Sequence, residues 1–220
     1  MRGVIFDLDG TLADTSGDLI AAANACFRQL GLGDVLDPVR DAGTALKGGR
    51  AMLRLGFART GSHGEDEVDR QYRPLLQHYE GAIDTHTVLY PGAMDAVRDL
   101  RGAGYKVAIC TNKPEGLARQ LLTSLGVLED FGAVLGADSL PVRKPDPEHL
   151  DETARRAGAD PRRVVLVGDT DTDRNTARNA GVPSILVTFG PGGGDMAALE
   201  PEGLISSYAE LPAEVSRLIG

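Results

Sequence analysis

Val4-Ile5-Phe6-Asp7-Leu8-Asp9-Gly10-Thr11-Leu12-Ala13-Asp14-Thr15 is the stretch whose reading decides the fold. An apolar run of β-branched and aromatic residues passes straight into Asp and Gly, the pattern of a buried strand opening into a loop. Two carboxylates therefore stand at a strand's end. Side chains alternate along an extended chain, but a turn beginning here lets Asp7 and Asp9 address one point in space. Like charges held that close cost free energy unless a cation or a shared proton offsets them. Taken alone, the same letters also describe a chemically silent, solvated Asp-Gly turn.

Outward from this stretch the texture changes twice. Residues 16–84 carry helical spacing and little strand signal: Leu19, Ile20, Ala23 and Phe27, then Ala51, Met52, Leu53 and Leu55, then, after the loop Gly61-Ser62-His63-Gly64, Val68, Tyr72, Leu75, Leu76 and Tyr79. From Tyr90-Pro91-Gly92 onward, helices and strands alternate. Ala93, Ala96, Val97 and Leu100 mark a helix; strand 107–110, helix 116–125 and a weaker strand at 133–135 follow. A helix at 147–157 precedes Val164-Val165-Leu166-Val167, an unbroken apolar run expected of a strand covered on both faces. A helix at 175–180 and a last strand at 184–187 complete the series. Alternation of this kind predicts an α/β fold, a doubly wound parallel sheet with right-handed crossovers and helices on both faces. The expected organisation is an α/β core of residues 1–15 and 85–220, interrupted by a small helical cap domain of residues 16–84.

Composition narrows the function. In 220 residues, 42% are hydrophobic and 25% charged, the proportions of an ordinary globular protein able to bury a substantial core. A formal net charge of −9 argues against nucleic-acid and anionic-membrane partners, both polyanions. Two cysteines, Cys26 and Cys110, are too few for a disulfide framework or a thiolate metal site, and are read as small buried residues. The N-terminal residues lack the basic, apolar, small-residue order of a signal peptide, and no apolar run reaches membrane-spanning length, so a cytoplasmic protein is expected.

Open parallel sheets bind ligands beyond the carboxyl ends of their strands. The residues delivered there form a coherent set: Asp7 and Asp9 after the first strand, Thr111-Asn112-Lys113 after the second, and Gly168-Asp169-Thr170-Asp171-Thr172-Asp173 after the fourth, with Lys144-Pro145 ahead of the preceding helix. Carboxylates offer oxygen-only ligation for a hard cation, which suits Mg2+. A hydroxyl, an amide and an ammonium are on hand for a phosphoryl group. A carboxylate can attack phosphorus once its oxygens are neutralised, so the set points to phosphoryl transfer through an aspartyl phosphate. Each piece has a plainer reading: Thr111-Asn112-Lys113 as a helix cap, Gly168 to Asp173 as an acidic turn at a helix N-terminus, and Lys144 as surface charge.

These motifs, in this order, resemble those of the haloacid dehalogenase superfamily, in particular the phosphatases similar to phosphoglycolate phosphatases. The resemblance covers the whole chain, strong in the core and loose in the cap. It implies a Rossmann-like core, and a nucleophile, Asp7, that carries the phosphoryl group. By the same resemblance Asp9 would protonate the leaving oxygen, then activate water, while its main-chain carbonyl helps to hold the metal with Asp7 and Asp169. Asp173 would orient Lys144 or a metal-bound water, Thr111 and Asn112 would bind the phosphoryl group, and Lys144 would balance its charge. In the cap, Lys47 and Arg50 are candidates for a substrate's distal anion, with solvated helix-end charge as the alternative. The implied activity is Mg2+-dependent hydrolysis of a small phosphomonoester, 2-phosphoglycolate among the candidates, by a monomer or homodimer. A sugar-phosphate mutase of the β-phosphoglucomutase type, similar around Leu46-Lys47-Gly48, and a pyrophosphatase stand as alternatives. A phospho-accepting receiver module is disfavoured by the cap insert and the late Asp169 and Asp173.

Other signals fail. Gly190-Pro191-Gly192-Gly193-Gly194 has Asp195 where a dinucleotide fingerprint needs glycine, and is read as a flexible loop. Gly43 to Gly49 lacks the Lys-Ser/Thr of a phosphate-binding loop. His63, His78, His86 and His149 are too scattered for zinc and are read as solvated surface residues. Ser16, Ser62 and Ser184 lack the nucleophile-elbow pattern.

Overall fold

The computed structural model describes residues 1–191 and 195–220, so Gly192, Gly193 and Gly194 of the glycine-rich stretch lie outside the described residues. Packing divides the chain into two compact units, Met1–Ala13 with Leu89–Gly220, and Asp14–Val88.

The first unit opens with β1 (Gly3–Phe6), and the chain leaves it through β2 (Ala13–Asp14). The second unit is helical: α1 (Ser16–Gln29), α2 (Ala42–Ala45), α3 (Gly49–Thr60) and α4 (Glu65–Glu80). Its core includes an edge-to-face pair, Phe27 on Phe57 at 5.3 Å between ring centroids. A Cβ on Gly56 would stand 2.1 Å from the tip of the Phe27 ring, so only glycine lets α3 come this close to α1. Asp18 on α1 accepts bonds from the main-chain N–H of His86 and Thr87 and from the Thr87 hydroxyl, fastening the segment that leads out of the unit.

The chain returns through β3 (Val88–Leu89), which forms a two-stranded sheet with β2. There follow α5 (Ala93–Gly102), β4 (Lys106–Cys110), α6 (Glu115–Ser124), β5 (Val134–Leu135), α7 (Pro147–Arg156), β6 (Val164–Gly168), α8 (Asp171–Ala180), β7 (Ser184–Val187), β8 (Gly203–Ile205) and α9 (Leu211–Ile219). Six strands pair in the order β5-β4-β1-β6-β7-β8, all parallel. One face of the sheet packs α7 and α8 over Ile5, Ala108, Cys110 and Leu166. The opposite face carries α5 and α9. Being covered on both sides explains the unbroken apolar runs in β1 and β6. Val4, Ile5 and Phe6 are completely buried, and each such side chain contributes about 1.5–3 kcal/mol relative to exposure.

The chain runs from β1 outward to β4 and β5, then crosses back to β6 on the other side of β1. The order therefore reverses at β1, and the crevice beyond the carboxyl ends of β4, β1 and β6 is the switch point where such sheets take ligands.

The structure adds elements that periodicity does not reveal. β8 has three residues, of which Leu204 is exposed between buried Gly203 and Ile205, too little apolar pattern to register. The helix expected from 175 starts at Asp171, because its first turn consists of polar capping residues rather than core residues.

Candidate active site

The main-chain N–H of Asp7 donates to Val167 O at 2.9 Å, which carries the pairing of β1 with β6 one residue past the strand and fixes the Asp7 backbone. Leu8 N–H then donates to Asp7 Oδ1 at 2.7 Å. Beyond it the chain turns tightly. The N–H groups of Thr11, Leu12 and Ala13 all point at Leu8 O (3.3, 3.0 and 3.2 Å), and Gly10 takes φ +81°, a region that penalises a Cβ. Leu8 and Leu12, fully buried, anchor the turn from below. Alternation of core leucines with carboxylates is thus what aims Asp7 and Asp9 outward.

Lys144 is buried, and its ammonium lies 3.1 Å from Asp7 Oδ1 and 2.6 Å from Asp173 Oδ1. Its peptide bond to Pro145 is cis. Burial alone would lower the affinity of this amine for its proton, but Asp173 and Asp7 outweigh it and hold the pKa above that of a free lysine. Asp173 is the third helical residue of α8 and closes a capping box. Its Oδ2 accepts from the Thr170 hydroxyl (2.6 Å) and N–H (3.1 Å), while Asp173 N–H returns to Thr170 Oγ1 (3.4 Å). The acidic turn at the helix N-terminus is present as a capping box, and the cap is what points Oδ1 at Lys144. Gly168 is required beneath it, since a Cβ there would stand 2.3 Å from the Asp173 side chain.

Asp169 leaves the end of β6 almost fully buried, and its Oδ1 accepts from the Thr11 hydroxyl at 2.7 Å. Thr11 is held in turn by the Tyr208 hydroxyl, which donates to Thr11 O at 2.6 Å. Asp169 Oδ2 is buried without a hydrogen-bond partner, an arrangement that costs free energy unless something positive meets it. Ligand oxygens of Asp7, Asp169 and Asp173 lie within 4.8 Å of one another, so these three carboxylates can hold a metal ion. Burial, offset in part by Lys144, pushes the Asp7 carboxyl up to about 6 and that of Asp169 well above the usual range, each further raised by neighbouring carboxylates. A divalent cation removes that strain, and an all-oxygen donor set suits a hard one.

Asp9 Oδ1 faces the Lys113 ammonium at 2.8 Å. Thr111 N–H donates to Leu135 O (3.0 Å), extending β4 onto β5, and Thr111 Oγ1 accepts from Lys113 N–H (3.2 Å). Exposed Asn112 donates through its amide to Lys144 O at 3.1 Å, tying the end of β4 to the lysine loop. None of these residues caps α6, which starts at Glu115 behind Pro114 with no side-chain cap bond. The first unit thus brings together Asp7, Asp9, Thr111, Asn112, Lys144, Asp169 and Asp173. Arg50 and Lys47 belong to the helical unit, where Arg50 pairs with Asp69 and stacks over the Tyr72 ring at 4.5 Å.

Lys113, Thr11 and Tyr208 gain roles that sequence reasoning did not assign. Position after a strand was a signal for Lys113, and Thr11 sits inside the quoted motif. Nothing local marks Tyr208, which reaches the site from the far end of the chain.

The surface reading of the histidines is corrected at His149, which is fully buried on α7. Its Nε2 lies 2.9 Å from Gly136 O and its Nδ1 3.3 Å from Cys110 Sγ. The partners assign a neutral ring with Nε2–H donating to the carbonyl and Nδ1 accepting from the thiol, which burial keeps protonated by pushing it up to about 12. Burial, and then the charge of Lys144, lowers the His149 pKa below its ordinary value of 6.5. Such a group stabilises the fold fully above 6.5, and that contribution is lost as pH falls toward the depressed folded value. Urea denaturation across pH 7 to 5 should therefore show the stability difference between wild type and His149→Gln shrinking on acidification. A constant difference would refute the neutral assignment.

A family model for haloacid dehalogenase-like hydrolases matches residues 1–181. Phosphoglycolate phosphatases of Mesorhizobium japonicum and Agrobacterium fabrum are each 40% identical to the chain, covering 98% of it and 96% and 93% of their own lengths. Among solved structures, a predicted phosphoglycolate phosphatase from Haemophilus somnus superposes with a TM-score of 0.85 at 24% identity, over 97% of both chains. The chain belongs to the haloacid dehalogenase-like hydrolases. Its enzyme class is that of a phosphatase, a phosphoric monoester hydrolase. Among the described residues, no helix is long and apolar enough to cross a membrane.

Proposed function

We propose that the protein is a Mg2+-dependent phosphatase acting on a small phosphomonoester, 2-phosphoglycolate foremost, through a phosphoryl group carried on Asp7. The observation that supports this most is the buried Asp7–Lys144–Asp173 arrangement beside the unpartnered Asp169 Oδ2. It presents an aligned carboxylate, a fixed ammonium and an unmet demand for positive charge at one point. The names of the relatives supply the substrate class.

Asp7 attacks phosphorus, and the bond from phosphorus to the ester oxygen breaks. Asp9 gives that oxygen its proton, then takes one from the water that cleaves the acyl phosphate and restores Asp7. Lys144 holds Asp7 in place and balances charge on the phosphoryl oxygens, with Asp173 as its fixed counter-ion. Thr111 contributes its hydroxyl to the phosphoryl group, while the Asn112 amide nitrogen, donating to Lys144 O, positions the lysine. Mg2+, held by Asp7, Asp169 and the Asp9 carbonyl with Asp173 behind them, would supply further positive charge to the transferring group. Use of Arg50 for the substrate would require it to leave Asp69, so the reading does not rest on it. Its other components are a small phosphorylated metabolite as partner, without nucleic acid or membrane, and a monomer or homodimer in the cytoplasm.

Phosphate release is the test, measured on 2-phosphoglycolate, hexose phosphates, nucleotides and pyrophosphate with Mg2+ and with EDTA. One strongly preferred monoester and a loss of about 100-fold or more in EDTA are expected, since metal stabilisation of transition-state charge is worth several kcal/mol. Undiminished release in EDTA overturns the metal assignment. Accumulation of a bisphosphorylated species would point to the mutase.

A further inference from the structure

We infer that Lys113 is the specificity-determining cation of this site: it takes a second anionic group carried by the leaving group, next to the ester oxygen. The inference rests on the reading above and names the substrate class more narrowly, as short phosphomonoesters whose leaving alcohol bears a carboxylate or a second phosphate near the ester oxygen.

The two lysines of the site differ in what they face. Lys144 lies between Asp7 and Asp173, on the side of the attacking carboxylate. Lys113 lies 2.8 Å from Asp9 Oδ1, on the side of the group assigned to the leaving oxygen. Its side chain is only 3% exposed, so the ammonium is largely removed from water, with Asp9 as its counter-charge. The backbone holds it tightly. Lys113 N–H donates to Thr111 Oγ1, and Lys113 O accepts from Ala137 N–H at 2.9 Å. A Cβ on Gly136 would stand 2.5 Å from Lys113 O, so the β5 loop has been cleared to let this carbonyl pass.

With Asp9 at the ester oxygen, the Lys113 ammonium is one hydrogen bond from whatever that oxygen is attached to. A leaving alcohol with an anionic group one methylene away can place it on the ammonium. A neutral alcohol offers the ammonium no second anion. Removing Lys113 would leave no ammonium beside Asp9 to receive a substrate carboxylate.

The test compares kcat/KM for 2-phosphoglycolate and for ethyl phosphate, which lacks the second anion, in wild type, Lys113→Met and Lys113→Arg, with Mg2+. Both substrates should suffer in Lys113→Met, because Asp9 loses its partner. The ratio of kcat/KM values, 2-phosphoglycolate over ethyl phosphate, should fall by about tenfold or more, the worth of a hydrogen bond between charged groups. Lys113→Arg should recover part of that ratio. Partial misfolding lowers both substrates equally and leaves the ratio alone, so a smaller change in the ratio overturns the inference. Wild type that releases phosphate from neither substrate overturns the proposed function instead.

Discussion

Asp7→Asn will lose phosphate release by about 10,000-fold or more, the scale on which deleting a covalent nucleophile is felt, while the folded protein becomes more stable when divalent cation is absent. The first half follows from chemistry, because an amide oxygen does not form the acyl phosphate. The second follows from electrostatics. Burial raises the Asp7 carboxyl from 3.8 to about 6, against the opposing pull of Lys144, so above that pH the folded state carries a charge it disfavours. Unlike a depressed carboxylate, a raised one penalises folding at high pH, and the penalty disappears as pH falls to the unfolded value near 3.8. The amide is nearly isosteric, its oxygen can keep the bonds from Leu8 N–H and Lys144, and it carries no charge. A gain of about 1–3 kcal/mol is expected at pH 8 in EDTA, fading by pH 4. Activity and Tm measured on the same preparations would thus move in opposite directions. An inactive variant with a lowered Tm would indicate that Asp7 is structural, and an active one would remove it from the nucleophile's role.

Much of the sheet was legible because both its faces are covered. β1, β4 and β6 write that burial as unbroken apolar runs, and a carboxylate, hydroxyl or amide directly after each run needs a reason that packing does not provide. The site was legible to the same depth: what stands within a few residues of a strand end could be read, and what arrives through tertiary packing could not. Lys113 lies just after β4, yet its identity alone does not distinguish a helix-cap neighbour from an ammonium buried against Asp9. Tyr208 supports Thr11, and through it Asp169, from a segment that no motif touches. His149 looked like a surface residue because α7 is rich in charge. Its buried stripe of His149, Leu150, Thr153 and Ala154 shows only once the sheet is beneath it. Asp173 was legible as an acid but not as half of a capping box, since pairing Thr170 with Asp173 requires knowing where α8 begins.

Lys144→Met should be the most destabilising single change in the site, costing about 3–5 kcal/mol in EDTA at pH 8, the usual penalty for leaving a buried charge without its partner. Methionine fills the space of the lysine stem, so little of the loss is cavity. What changes is that Asp7, Asp169 and Asp173 remain together with no ammonium among them. The stabilising effect of a lysine with a raised pKa is fully present below its unfolded value of 10.5, so at pH 8 wild type has all of it. The carboxylates supply the pH dependence. With Lys144 gone, Asp7 and Asp169 lose the charge that partly offsets their raised folded pKa values, protonation on acidification relieves the repulsion, and the gap between variant and wild type should narrow from pH 8 toward pH 5. Mg2+ should narrow it as well, by supplying positive charge to the same oxygens. Urea denaturation of both proteins at the two pH values, with EDTA and with Mg2+, measures all of this. A deficit that ignores both proton and cation would mean that Lys144 is held for its packing, and that its charge is not what organises the three carboxylates.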